Sequence, residues 1–184
     1  CYINIAFPAL SIHDPKLYSL YLLSLYLGGN MSSYLFVELR EKKSLVYDIS
    51  SDVFAYEEGG YLSIYTSTDS KNVNKTISII LTKLAEVYKF NFDNLDVLKI
   101  NTLHSKEMEW EDSYNIAEYY SEELLLRKKI KSTHEHLKCY QNVKKKDIIE
   151  LAKNILNFNK MKVVIMGNIK SSDINLSKIM KVVS

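Results

Sequence analysis

Four histidines come first, because a helix-borne catalytic zinc needs two imidazoles one turn apart on the same face, with a carboxylate to complete the set. They are His13, His104, His134 and His136, and no two are four residues apart. His104-Ser105-Lys106-Glu107-Met108 opens like the inverted motif H-x-x-E-H, but Met108 stands where the second imidazole is required, and a thioether does not replace it. His134 and His136 are two apart, a spacing that splays their rings on a helix. No metal is expected to be bound by this chain. Nucleophilic chemistry is no better supported: Cys139 has no partner pattern, and there is no G-x-S-x-G elbow. Gly28-Gly29-Asn30-Met31-Ser32-Ser33 lies between two helical stretches and lacks a phosphate-loop lysine, so it reads as a helix C-cap followed by an N-cap.

What remains is a pair. Among 24 basic residues only Arg40 and Arg127 are arginine. Where charge alone suffices this chain uses lysine, so Arg40 points to a need for a planar fork of donors. Tyr47 follows seven residues later, early in a predicted strand, and a helix end followed by a strand start would bring both side chains to one edge of a sheet. The bland alternative is a solvated helix-end cation and a sheet-face aromatic; the residues alone leave both open.

The elements that must position this pair follow from periodicity. Residues 1–7 alternate as a strand, with Ile3, Ile5 and Phe7 on one face. Asp14-Pro15 is expected to start a helix that runs to Leu27 and ends at Gly28-Gly29 in a left-handed turn. Its leucines, from Leu17 to Leu27, cover much of its circumference, so it should be well buried. A second helix is expected to restart at Asn30–Ser33 and reach about Lys43. Leu45–Tyr56 and Tyr61–Thr66 read as two strands joined at Glu57-Glu58-Gly59-Gly60. From about Lys71, Val73, Ile77, Ile80, Leu81, Leu84 and Tyr88 recur at helical spacing. Further helices are expected at about 93–109, 113–129 and 145–157, and Met161–Met166 closes as a strand. The order implies an α+β fold, a mixed α/β layer with one sheet covered by helices.

Bulk properties exclude other classes. The 24 basic residues nearly balance 22 acidic ones, for a net charge of +2, which argues against a nucleic-acid or membrane-surface partner. Two cysteines make no disulfide framework and fit a reducing, intracellular setting. No apolar run reaches membrane-spanning length. The chain has no initiator Met and starts in a strand-like segment, so residues 1–184 are expected to be one domain excised from a longer polypeptide.

Leu27-Gly28-Gly29-Asn30-Met31-Ser32-Ser33-Tyr34-Leu35-Phe36-Val37-Glu38-Leu39-Arg40-Glu41-Lys42-Lys43-Ser44-Leu45-Val46-Tyr47 resembles a family signature, approximately LGGGMSSRLFxELREKxGLAYxV. It is similar to the C-terminal domain of the pitrilysin and mitochondrial processing peptidase family. Gly59-Gly60-Tyr61, Ile64-Tyr65-Thr66 and the closing Val163-Val164-Ile165-Met166-Gly167 extend the likeness over nearly the whole chain. The resemblance implies a zinc endopeptidase built from paired homologous halves, in one chain or two subunits. The partner half would carry H-x-x-E-H and the zinc, and this half would bind no metal. By position it assigns catalytic roles to Arg40 and Tyr47, which would reach across an enclosed chamber to a peptide substrate. The alternative is a non-catalytic scaffold or assembly domain of the same fold. The chain departs from the pattern at Asn30, at Tyr34 (often arginine in the family) and at Ser44 (commonly glycine), but not at Arg40 or Tyr47.

Overall fold

Ile3, Ile5 and Phe7 do form one face of a strand, and all three are fully buried. The computed structural model describes residues 1–87, 92–175 and 179. Strand β1 (Tyr2–Ala9) is followed by helix α1 (Leu17–Gly28) and a short helix α2 (Tyr34–Phe36) that widens into a π-helical turn, Val37–Glu41. The hairpin β2 (Ile49–Ala55) and β3 (Gly60–Ser67) leads to α3 (Val73–Glu86). Then come α4 (Leu95–Glu109), α5 (Ser113–Glu122) with a π-helical turn at Glu123–Arg127, α6 (Thr133–Asn142), α7 (Lys145–Ile155) and β4 (Lys162–Met166). The sheet has the order β2-β3-β1-β4, every pair antiparallel. Ile5 lies opposite Ile64, Tyr2 opposite Met166, and Phe54 opposite Tyr61. Helices cover the face carrying Ile3, Ile5, Phe7, Leu62 and Ile64, so the α+β reading holds.

α1 is as buried as its leucines imply: Leu17, Leu20, Leu22, Leu23 and Leu27 are shut off from solvent. Its ends differ from expectation. Asp14 accepts from the Lys16 N–H at 2.8 Å and closes a turn ahead of the helix, which begins only at Leu17. At the other end Gly29 has φ −81, so no left-handed turn is made there. The glycine requirement is one of space: a Cβ on Gly28 would sit 2.7 Å from the backbone nitrogen of Ser51. The end of α1 is thus pressed onto β2, where the Ser24 hydroxyl donates to the Ser51 carbonyl at 2.8 Å.

Two other boundaries are corrected and one helix is added. Asn30–Ser33 is a turn rather than a helix start, because the Asn30 side chain accepts from the Ser32 N–H and hydroxyl at 2.9 and 2.8 Å and holds the chain out of helix. The strand expected from Leu45 begins at Ile49. Helix α6 was not foreseen, although its start carries a capping box: Ser132 Oγ accepts from the Glu135 N–H, and Glu135 accepts from the Ser132 N–H. Along α3 the expected positions Val73, Ile77, Ile80, Leu81 and Leu84 are buried; Tyr88 lies outside the described residues.

Candidate functional site

Arg40 sits on the π-helical turn after α2, and Tyr47 in the loop that leads into β2. The turn forms because the Lys42 N–H reaches back five residues to the Val37 carbonyl. Leu35, Phe36 and Leu39 bury its inner side. Glu38 is buried beside them and pairs with Lys42 one turn on and with Lys83 of α3 at 3.4 Å. The hydrogen bond from Lys42 holds the Glu38 carboxyl below its ordinary range, against burial, with Lys83 adding to the effect. Lys83 in turn meets Glu86 at 3.1 Å. Tyr34, at the departure from the family pattern, stacks on Tyr26 at 5.8 Å, and its hydroxyl donates to Glu86 at 3.5 Å. The turn bearing Arg40 is therefore tied to α3 by charge and to the core by apolar packing.

The chain leaves the turn through Ser44, whose φ is +47. The Ser44 N–H bonds the Arg40 carbonyl at 3.0 Å, and the Leu45 N–H bonds the Leu39 carbonyl at 2.9 Å. Leu45 and Val46 then turn inward and are buried. Two hydroxyls of the β3 region fasten the loop: Thr68 donates to the Leu45 carbonyl and Thr66 to the Asp48 carbonyl, each at 2.6 Å. Between these fixed points Tyr47 is thrown outward, 79% exposed.

The structure brings Arg40 and Tyr47 together. An Arg40 Nη1–H donates to the Tyr47 carbonyl oxygen, and the guanidinium carbon lies 4.4 Å from the centre of the Tyr47 ring. It also lies 5.9 Å from the Phe36 ring. The other guanidinium N–H groups have no hydrogen bond among the described residues. Both side chains line an open groove of about 800 Å³, whose walls include Tyr2, Glu41, Ser67 and Asp69. The site thus offers an exposed phenol, a cation with unused donors, and room for an extended chain beside them. Tyr47 lies in a loop and not in a strand; a loop lets its ring leave the sheet plane and meet Arg40. Thr66 and Thr68 escaped the sequence reading because they lie some twenty residues beyond the loop they fasten, and no local pattern marks that contact.

Arg127, the other arginine, also uses its fork. Its Nε meets Glu123 at 2.6 Å and an Nη1–H donates to the Ile12 carbonyl at 2.5 Å, so its role is to join α5 to the β1–α1 connection. A second hollow of about 740 Å³ opens beside it, walled in part by Tyr21, Trp110, Tyr119 and His136. Its cations Arg127 and Lys106 are both paired, with Glu123 and Glu109. Among the described residues no group of three His, Cys, Asp or Glu side chains could hold a metal ion, and no helix is long and apolar enough to cross a membrane.

Comparison with known proteins bears on the same segment. A family model described as the peptidase M16 inactive domain matches residues 1–101, which include both Arg40 and Tyr47. The chain is 34% identical over 105 residues to YmxG of Bacillus subtilis, described as an uncharacterized zinc protease; the match covers 57% of this chain and 23% of that protein. It is 30% identical over 153 residues to an uncharacterized zinc protease of Rickettsia felis, covering 79% of this chain and 36% of the relative. It therefore spans well under half the length of either. Its fold is similar to the crystal structure of a peptidase M16 inactive domain from Pseudomonas fluorescens, with a TM-score of 0.80 at 20% identity, over 89% of this chain and 40% of that one.

Proposed function

The chain belongs to the peptidase M16 inactive-domain family, and from that premise we propose that it is the metal-free half of a zinc endopeptidase, contributing Arg40 and Tyr47 to peptide hydrolysis. The observation that carries this reading is the contact of the two side chains in an open groove, each on a backbone fastened from behind. When a peptide bond is hydrolysed, negative charge develops on its carbonyl oxygen. A phenolic O–H aimed at that oxygen donates more strongly in the transition state than in the ground state, and so accelerates the chemical step. Arg40 offers planar donors that suit the carbonyl oxygens of an extended peptide and would fix its register. Its position over the Tyr47 ring also restricts where the phenol can swing. Zinc, held by H-x-x-E-H in a homologous partner half, would supply the Lewis-acid chemistry; the described residues of this chain offer no set of ligands for it.

The competing reading is a non-catalytic scaffold or assembly domain of the same fold. The family's own description as inactive favours it. Reconstitution separates the two. This chain alone should cleave no peptide and retain no stoichiometric zinc by metal analysis. Mixed with, or fused to, the half that carries H-x-x-E-H, it should restore cleavage that neither part shows alone. Full activity of the zinc-bearing half by itself would leave this chain with the scaffold role.

A further inference from the structure

The sheet face turned away from the helices carries an organised apolar surface. Side-chain alternation and the strand register put Tyr2, Phe54, Tyr61, Tyr65, Val164 and Met166 on that side, each 36% exposed or more. Tyr2 stacks on Tyr65, with ring centres 6.1 Å apart and 18° between the planes. Phe54 stacks on Tyr61 at 4.8 Å and 20°. Between the stacks the face is floored by Asn4, Ala6 and Ser63. These side chains are small and uncharged, and the Ser63 hydroxyl donates to the Asn4 side-chain oxygen at 3.0 Å. Two aromatic ridges therefore flank a shallow trough. Tyr65 and Tyr61 stand four positions apart on β3, which separates the facing rings of the two ridges by about 14 Å at roughly 3.4 Å per residue. The charged side chains on this face, Asp52 and Lys162, share the cross-strand row of Ser63 and Ala6 but stand on the edge strands β2 and β4, so the trough carries a charge at each rim and none over its two central strands. Exposed aromatic stacks on one side of a sheet, around an uncharged middle, have the composition of a binding face.

What identifies its occupant is continuity. Tyr2 belongs to the first ridge and also lines the groove of Arg40 and Tyr47. We propose that a peptide held at Arg40 and Tyr47 continues across this sheet face, and that the two aromatic ridges select large apolar side chains, aromatic ones above all, at positions remote from the cleaved bond. Stacked rings offer edges and faces to a third ring, and an uncharged floor penalises a charged side chain laid over it. The proposal rests on the peptidase reading for its substrate, but it is tested by binding and not by cleavage.

Two uncharged fluorescent peptides of equal length serve as probes, one with two phenylalanines four residues apart and the other with serine at both places. Titrated into the chain, the phenylalanine peptide should bind at least ten times more tightly. Phe54→Ser and Tyr65→Ser should each remove most of that preference; both positions are exposed, and circular dichroism checks that the fold is kept. Equal binding of the two peptides, or a preference that survives both substitutions, overturns the proposal. So does sedimentation showing that the chain dimerises through this face and that Phe54→Ser abolishes the dimer without affecting peptide binding. Failure of the peptidase reading looks different: cleavage by the complete protein would be indifferent to Tyr47, whatever the peptides do here.

Discussion

Arg40 and Tyr47 are joined by two contacts of different kinds, a donated hydrogen bond to the Tyr47 backbone and a guanidinium over its ring. Lysine keeps the charge but loses the fork, so it cannot serve the Tyr47 carbonyl and a substrate carbonyl in one plane. Arg40→Lys in the complete protein should therefore lower kcat/KM for peptides by about tenfold or more while the thermal midpoint stays within a few degrees; a variant with unchanged kinetics would reduce Arg40 to a solvated cation. Ser44 makes a separate case. Its φ of +47 is a conformation in which a side chain costs about 1 kcal/mol relative to glycine. Ser44→Gly should raise stability by up to about 1 kcal/mol in denaturant titration, less what glycine adds to the entropy of the unfolded chain. A loss of stability would mean that the strain at Ser44 is met by contacts of its own. The departure from glycine at this position was legible in the sequence; the backbone angle that gives it meaning was not.

At the scale of elements, long periodic segments were legible and their ends were not. α1, α3 and α7 follow from leucine and isoleucine spacing, because burial nearly all round α1 and on one face of α3 and α7 outweighs local preferences. Gly28 was misread as a turn former because only the three-dimensional approach of β2 reveals why a side chain is excluded there. α6 was missed because its apolar face is built from His136 and Tyr140 rather than aliphatic residues. That face has a consequence for pH. His136 is enclosed by Tyr18, Trp110, Tyr119 and Tyr140, with ring centres 5.1–5.6 Å away, and its Nδ1 lies 3.4 Å from the Tyr18 hydroxyl. Burial first, and then the nearby cations Lys106, Arg127 and Lys131, push its pKa down to about 4. The unfolded chain protonates near the ordinary value of 6.5 and the folded one only near 4, so stability is fully present above about pH 6.5 and is lost as pH falls towards 4. The loss is on the order of 2 kcal/mol once screening by water in the adjoining hollow is allowed for. Chemical denaturation at intervals across that range should show a slope for the wild type that is steeper by up to one proton than for His136→Phe; parallel slopes would remove His136 from the account.

At the scale of the whole molecule, the fold holds a phenol and a guanidinium at the rim of an open groove, and its described residues include no cluster of three His, Cys, Asp or Glu side chains that could hold a metal ion. Histidine spacing excluded the familiar zinc motif from the sequence alone, and the 21-residue stretch from Leu27 to Tyr47 carried the family likeness. What the sequence could not convey is how the pair is held. Thr66, Thr68 and Lys83 reach the site across the fold, and each acts through a backbone carbonyl or a buried carboxylate that has no signature of its own. Since the relatives are more than twice as long as the stretch they share with this chain, catalysis is a property to be measured on the complete protein. The most direct measurement is single-turnover peptide cleavage by the complete zinc-loaded protein and its Tyr47→Phe variant, with zinc content and thermal midpoint determined on the same samples. Loss of one such donor is expected to slow the chemical step by about 100- to 1,000-fold, with zinc content and fold unchanged. Cleavage at the wild-type rate by Tyr47→Phe would contradict the account.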